Sequence, residues 1–201
     1  MELLKSFRDD EKISPIVDNI LATLQLVSIR VDSYELYKNP RAITSATQPN
    51  IIIYRKFDKA RFILTAQAKA KKISINFNNQ SYFLINGYEI FDLLPYILLD
   101  NAIKYSVKKQ DVDVYFDDKE KTVVVKNLGP QIPREDLPQI FEHGYRSKNA
   151  LSFDGSGLGL YLAKQIADLH GIKLRAESQE KVDFTLEGVP YSEFTMSLSF
   201  K

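Results

Sequence analysis

The sequence has no cysteine, which excludes disulfides, thiol catalysis and cysteine-based zinc sites. It has two histidines, His143 and His170, which are too few for a histidine-rich metal site. No apolar run approaches the roughly 20 residues that a membrane-spanning helix needs, and the N-terminus lacks the apolar stretch of a signal peptide. The net charge of +1 gives no electrostatic reason to expect nucleic-acid binding. These absences indicate a cytoplasmic protein, or the cytoplasmic part of a larger membrane-attached receptor.

The first element that the sequence predicts is a long helix. Ser14 is a good helix cap, Pro15 suits the first helical turn, and Asn39-Pro40 ends the pattern. Apolar residues recur between them in steps of three and four, in the heptad-like order Val17, Ile20, Leu24, Val27, Val31 and Tyr34. Such a seam needs a partner: a second copy of the chain in a homodimer, a helix in the first ten residues, or the chain's own domain.

Residues 40–50 are small and polar, and they divide the chain into a helical segment, residues 1–45, and a domain, residues 46–201. Strands are predicted at 51–54, 72–77, 82–84, 112–116, 122–125, 172–177, 182–186 and 194–200, and helices at 56–71, 89–107 and 157–170. This order predicts an α/β fold, a two-layer sandwich of a mixed sheet and helices that is preceded by the long helix.

A glycine-rich segment, residues 155–160, runs into the last predicted helix. Glycines let the backbone approach a ligand closely, and the free N–H groups of a helix N-terminus suit phosphate. A Rossmann site needs a strand before the glycines, where this sequence resembles a loop, and the Gly-Lys-Ser/Thr of a Walker loop is absent. Alone, the segment is equally well explained as a structural turn.

Two further segments carry residues suited to a nucleotide. Asn101, Lys104 and Tyr105 share one face of the predicted 89–107 helix. An asparagine oxygen can hold Mg²⁺, and a lysine can neutralise phosphate. After the 122–125 strand come Asn127, whose amide suits an adenine edge, and Gly129, which lets a base approach. Each segment alone is also explained without a ligand, as the polar side of a helix and as a strand-ending turn.

Together these segments resemble the GHKL superfamily, and within it the ATP-binding domain of sensor histidine kinases. Residues 99–106 resemble its N box, 127–132 its first glycine box, 140–147 its F box, and 155–160 its second glycine box. The resemblance covers roughly residues 50–201, and the long helix resembles more weakly the second helix of the family's dimerisation hairpin. It implies a Bergerat-type ATP-binding fold. It also implies a two-component protein-histidine kinase that uses ATP and Mg²⁺ and acts with a response regulator.

The resemblance implies roles for individual residues. Asn101 would be a Mg²⁺ ligand, and Lys104 would carry the catalytic step together with it. Lys104 and Tyr105 would face the phosphates and the ribose. The contacts with adenine would come from Asn127, Gly129 and Ile132.

The phosphates would be enclosed from the other side by a mobile lid, residues 142–156. From this lid Arg146 and Lys148 would reach the phosphates. The glycine loop would hold the phosphates through Gly155, Ser156, Gly157, Leu158, Gly159 and Leu160.

Four positions depart from the family pattern. Ile97 lies where the N box usually has asparagine, and since it cannot act as a base, phosphate transfer is favoured over hydrolysis. Asn127 replaces the usual aspartate, so it keeps an acceptor for adenine and loses the charge. Gln131 replaces the second glycine of its box and is expected to crowd the base. Pro95 requires a kink in the 89–107 helix or a break after residue 94.

The family's phosphoacceptor histidine is not recognisable, because no histidine precedes His143. We read both His143 and His170 as structural. The acceptor then belongs either to a segment before this chain in a longer protein or to a separate protein. We therefore expect the ATP-binding part of a kinase that is not self-sufficient. Two alternatives remain: a degenerate nucleotide-binding scaffold without turnover, and a serine kinase of the anti-sigma type.

Overall fold

The computed structural model describes residues 14–39 and 48–201. The long helix α1 spans Ser14–Lys38, as its capping pattern predicts. Most of the predicted 40–50 linker lies outside the described residues, so the proposed domain boundary stays a prediction.

Beyond α1, helices and strands alternate. The further helices are α2 (Ile53–Ile63), α3 (Thr65–Lys71), α4 (Leu93–Tyr105) and α5 (Gly159–Leu169). The strands are β1 (Asn50–Ile52), β2 (Ile75–Phe77), β3 (Leu84–Asn86), β4 (Val112–Asp117), β5 (Thr122–Pro130), β6 (Lys173–Ser178), β7 (Phe184–Leu186) and β8 (Val189–Ser199). Short 3₁₀ helices occupy Glu89–Asp92, Gln139–Phe141 and Lys148–Ala150.

The main sheet is mixed, in the order β2-β4-β5-β8-β6, and β7 also pairs with β8. β2 and β4 run parallel, whereas the other pairs are antiparallel. β1 and β3 form a separate antiparallel pair. β2 and β3, although adjacent in sequence, therefore belong to different sheets. The fold is thus the predicted α/β arrangement.

The core lies between the sheet and the helices. Along β5 buried and partly exposed residues alternate, and Val123 and Val125 point toward α4 with exposures of 0% and 2%. On α4, Leu99 and Ile103 are fully buried in the same core. Each such side chain contributes about 1.5–3 kcal/mol on burial, so α4 is fixed firmly over β5. This packing positions the polar residues of both elements.

Several predicted boundaries were wrong. The 56–71 helix is two helices that meet at Leu64, and the 51–54 strand ends at Ile52 because α2 begins there. The 89–107 helix breaks before Leu93, so Pro95 lies in the first turn of α4. The backbone nitrogens of that turn have no partner within the helix, and proline costs little there.

The apolar seam of α1 is only partly covered. Val17 is 5% exposed, and α1 contacts α2, α4 and α5. The remaining seam residues are between 49% and 61% exposed: Ile20, Leu24, Val27, Val31 and Tyr34. The described part of the domain therefore leaves most of the seam open. No helix among residues 14–39 and 48–201 has the length and apolar character needed to cross a membrane.

Candidate functional site

A cleft opens between α4, the sheet and the segment that precedes α5. It contains about 790 Å³ of space free of protein atoms, part of it open to solvent. The lining residues are Leu98, Asn101, Ala102, Tyr105, Val125, Asn127, Gly129, Pro130, Ile132, Ile140, Tyr145, Arg146, Ser147, Ala150, Leu160, Phe194 and Met196. No aspartate or glutamate is among them.

Helix α4 brings Asn101 and Tyr105 to the cleft, one turn apart. The Nδ2 atom of Asn101 is buried and has no hydrogen-bond partner among the described residues. Lys104 lies beside the cleft, with its Nζ 4.9 Å from the centroid of the Tyr105 ring. The three residues predicted to share one helix face are therefore close together.

Strand β5 supplies the floor of the cleft through Asn127 and Gly129. The sequence predicts a turn here, but the strand continues to Pro130 because β8 pairs with it along its whole length. Asn127 is 6% exposed. A Cβ atom at Gly129 would lie 3.1 Å from the Asn127 Nδ2 and 3.4 Å from the Tyr105 carbonyl oxygen. Gly129 therefore lets α4 and the Asn127 amide come close to β5.

Gln131 does not crowd the cleft, contrary to the expectation from sequence. Its Nε2 donates to the carbonyl oxygens of Gln179 and Glu180 at 3.0 and 2.9 Å, which directs the side chain away. The next residue, Ile132, lines the cleft, and its N–H donates to the Ser178 Oγ at 3.1 Å. The loop after β5 is thus held by the end of β6.

Arg146 organises the segment 142–156. Its Nη2 donates to the carbonyl oxygens of Ala150 and Leu151 at 3.1 Å each, and also to that of Phe153. Its Nε is buried and has no partner among the described residues. The segment thus folds around one guanidinium group that also lines the cleft.

Two further contacts hold the same segment against the cleft. The ring of Phe153 packs edge-on against Tyr105, with ring centroids 5.2 Å apart. The Asn149 Nδ2 donates to the Gln131 carbonyl oxygen at 2.7 Å. Lys148 is exposed and lies outside the cleft lining, although the family resemblance implies that it reaches the phosphates.

Tyr145 and Ser147 line the cleft but are engaged elsewhere. The Ser147 Oγ donates to the Asp136 Oδ2 at 3.5 Å. Burial raises the pKa of Tyr145 to about 12, and its hydrogen bond to Asp136 acts in the same direction. The Tyr145 hydroxyl therefore stays protonated at neutral pH, and both side chains link the 142–156 segment to Asp136.

The glycine loop lies at the mouth of the cleft. Gly155 and Gly157 have φ angles of +151° and +74°, which favour glycine. A Cβ at Gly155 would lie 2.4 Å from the Lys104 Nζ, and one at Gly157 would lie 2.6 Å from the Gly144 backbone. Of the six predicted loop residues, only Leu160 lines the cleft itself; the others are Gly155, Ser156, Gly157, Leu158 and Gly159. Gly155 thus lies against the Lys104 ammonium, a few residues before α5 begins.

Lys71 supports the site from α3 and was not predicted. Its Nζ donates to the carbonyl oxygens of Ile103 and Lys104 at 3.0 and 2.5 Å, and it contacts the Ser106 carbonyl oxygen at 3.4 Å. Burial lowers the pKa of Lys71, and the ammonium groups of Lys108 and Lys104 lower it further. Its acceptors lie 32 to 35 positions further along the chain, so no local sequence pattern indicates this role.

His170 has a structural position. Its Nδ1 donates to the Ile166 carbonyl oxygen at 2.7 Å, and its Nε2 accepts the Tyr88 N–H at 3.0 Å. His143 packs edge-on against Tyr161, with ring centroids 5.2 Å apart. Neither histidine lines the cleft. Within the described residues, no cluster of three or more histidine, aspartate or glutamate side chains suits a metal ion.

Comparison with known proteins relates half of the chain to one protein family. A family model described as histidine kinase-, DNA gyrase B-, and HSP90-like ATPase matches residues 94–195. Sensor histidine kinase YkoH of Bacillus subtilis (strain 168) is 45% identical over 85 residues, which are 41% of this chain and 19% of that protein. Sensor histidine kinase Hik2 of Thermosynechococcus vestitus (strain NIES-2133 / IAM M-273 / BP-1) is 28% identical over 187 residues, which are 88% of this chain and 49% of that protein.

A solved structure has the same fold. The structure of the mycobacterial sensor histidine kinase MprB matches with a TM-score of 0.58 at 22% identity, and the match covers 76% of this chain and 97% of that chain. The chain spans about half or less of the length of the curated relatives named above.

Proposed function

The chain belongs to the family of histidine kinase-, DNA gyrase B- and HSP90-like ATPases, and we propose that it is the ATP-binding catalytic part of a two-component sensor histidine kinase. In this proposal it binds Mg-ATP and passes the γ-phosphate to a histidine that is not part of this sequence. The curated relatives named above are sensor histidine kinases, which supports this choice within the family.

The observation that carries the proposal is a pair of unused donors. The Nδ2 of Asn101 and the Nε of Arg146 are both buried in residues that line the cleft, and neither has an acceptor among the described residues. Buried polar groups without partners are rare and costly, at about 1–3 kcal/mol each. A ligand rich in acceptor oxygens, such as a triphosphate, would satisfy both.

The charge around the cleft fits an anion. No carboxylate lines it, and the Lys104 ammonium lies beside the glycine loop. We propose that Lys104 and the loop residues 155–160 bind the phosphates, aided by the free N–H groups at the start of α5. Arg146 would exchange part of its carbonyl contacts for phosphate, and Lys148 would approach from the lid.

The apolar part of the cleft fits the base. We propose that Asn127 meets the edge of the base, while Gly129 and Ile132 lie against its plane. Tyr105, at the end of α4, would border the ribose. Phe194 and Met196, which the sequence did not predict, complete the floor from β8.

Mg²⁺ fits the site only as an ion shared with the nucleotide. Asn101 offers one hard oxygen, and Ile97 on the preceding turn offers none. Mg²⁺ often takes one or two protein ligands and completes its shell with phosphate and water. Bound there, it would neutralise charge on the phosphate oxygens.

The residues of the cleft support transfer more than hydrolysis. Ile97 is 7% exposed and cannot activate water. Catalysis would therefore consist of positioning and charge neutralisation by Asn101 and Lys104. Because both ring nitrogens of His170 are hydrogen-bonded to backbone groups, that residue is not available as the acceptor.

We also propose that α1 mediates a homodimer, supported by its half-exposed seam. A response regulator would then receive the phosphate from the acceptor histidine. Placement in the cytoplasm, within a parent protein attached to the membrane, belongs to the same proposal. Sedimentation at several concentrations tests the dimer, and Leu24→Glu together with Val31→Glu should yield a monomer.

Titration of the chain with ATP, with and without Mg²⁺, tests the nucleotide site. We expect Mg²⁺-dependent binding, weakened about tenfold or more in Asn101→Ala because a hydrogen-bonding and metal-binding group is lost. Asn86→Ala, an exposed asparagine outside the cleft, should bind as wild type. Absence of binding to the wild-type chain would rule out the proposal. With a supplied acceptor domain, acid-labile phosphate supports histidine transfer, whereas acid-stable phosphate points to a serine kinase.

A further inference from the structure

The sheet floor of the cleft contains one polar side chain. The sheet residues that line the cleft are Val125, Asn127, Gly129, Pro130, Phe194 and Met196. In the β5–β8 register, Asn127 lies opposite Phe194, and Val125 lies opposite Met196. The cationic groups are on other walls, at the end of α4 and in the 142–156 segment. A ligand with an anionic part and a flat heterocycle therefore places the heterocycle on the floor, against Asn127.

The Asn127 side chain is buried, but nothing fixes which way its amide oxygen and nitrogen face. It is 6% exposed, and the missing Cβ of Gly129 leaves its edge accessible, since a Cβ there would lie 3.1 Å from Nδ2. Among the described residues, no group hydrogen-bonds to the amide side chain. The oxygen and nitrogen can therefore exchange places by a half turn at little cost.

The two kinds of purine present opposite edges. Adenine has an amino donor beside a ring-nitrogen acceptor, whereas guanine and hypoxanthine have a carbonyl acceptor beside a ring N–H donor. A carboxylate, which only accepts, pairs with the 6-amino group of adenine and repels a 6-carbonyl oxygen placed in the same position. It could pair with guanine only if the base shifted, so that N1–H and the 2-amino group faced the carboxylate; hypoxanthine has no 2-amino group. An amide that can rotate by half a turn pairs with either purine edge in the same position.

We propose that this cleft accepts 6-oxopurine nucleotides as well as adenine nucleotides, and that the neutral amide of Asn127 determines this broad selectivity. The inference rests on the proposed nucleotide site. It extends the substrate class from ATP to GTP and ITP. No carboxylate in the cleft lining compensates for the missing charge at position 127.

Competition binding tests the proposal. A fluorescent trinitrophenyl-ATP probe is bound to the chain with Mg²⁺ and displaced by ATP, GTP or ITP. For the wild type we expect the affinity for ATP to exceed that for the better-bound 6-oxopurine nucleotide by no more than about tenfold. In Asn127→Asp the preference for ATP over ITP should rise by about tenfold or more, because an acceptor then faces the carbonyl oxygen and hypoxanthine has no 2-amino group to compensate.

Asn86→Asp is the matched control. It adds the same charge at an exposed position outside the cleft, and its nucleotide ratios should equal those of wild type. A wild-type preference for ATP of more than about a hundredfold over both GTP and ITP would overturn the proposal, even if Asn127→Asp does not fold. An unchanged ratio of ATP affinity to ITP affinity in folded Asn127→Asp would also overturn the proposal. If neither the probe nor ATP binds to the wild-type chain, the result contradicts the proposed nucleotide site itself. That outcome is distinct from binding with the wrong purine selectivity.

Discussion

Lys71 holds the C-terminal end of α4, and replacing it with methionine should destabilise the domain. Its Nζ donates to the carbonyl oxygens of Ile103, Lys104 and Ser106 at 3.0, 2.5 and 3.4 Å. The last carbonyl groups of a helix have no partner within the helix, and a nearby cation stabilises the negative end of the helix dipole. Methionine keeps the apolar stem of Lys71 and removes the charge and the donors.

Two opposing effects determine the size of the loss. A hydrogen bond to a charged group contributes about 1.5–3 kcal/mol, and a cation at a helix C-terminus about 0.3–1 kcal/mol. Against these gains, burial lowers the pKa of Lys71, and Lys108 and Lys104 lower it further. Desolvation and like-charge repulsion therefore offset part of the stabilisation. We expect Lys71→Met to lower the unfolding free energy by about 1–2 kcal/mol.

Urea unfolding followed by circular dichroism measures this difference, provided that the denaturant slope is unchanged. Lys69→Met is the matched control, since Lys69 is exposed in the last turn of the same helix. Equal unfolding free energies for the two variants, within about 0.3 kcal/mol, would refute the capping role of Lys71.

Local patterns predict part of this fold well. The α1 boundaries follow from Ser14-Pro15 and Asn39-Pro40, and the β4–β5 hairpin follows from alternation on either side of a polar turn. The end of β5 was predicted wrongly, because Gly129-Pro130 is typical of a turn. Pairing with β8 overrides that local preference, and no local pattern encodes such a pairing between segments about 65 residues apart.

The residues of the cleft were likewise predicted only in part. The motifs located Asn101 and Asn127, which the packing of α4 on β5 brings to one cleft. The direction of the Gln131 side chain was predicted wrongly, because it depends on carbonyl groups 48 and 49 positions away. Lys71 was missed for a similar reason, since its acceptors lie 32 to 35 positions further along the chain. Motifs identify chemistry, whereas supporting contacts depend on tertiary structure.

Two further predictions concern a strained glycine and a buried histidine. Gly157→Ala should destabilise the chain by about 1–3 kcal/mol more than Gly188→Ala, because both have positive φ but only the Gly157 Cβ would meet backbone atoms, at 2.6–2.8 Å. Urea unfolding measures the difference, and equal losses would contradict it. For His170, burial lowers the pKa, and protonation would replace the acceptor of the Tyr88 N–H with a second donor. The unfolded chain, in which the histidine pKa is about 6.5, then binds more protons than the folded chain. The stabilisation is complete above pH 6.5 and is lost as the pH falls from there through the lower pKa of the folded state. His170→Gln cannot titrate at this position, so the stability of wild type relative to this variant should stay constant from pH 8 to about pH 6.5 and decline below that. Parallel pH profiles of unfolding free energy would contradict this prediction, because they would mean that the pKa of His170 is the same in the folded and the unfolded chain.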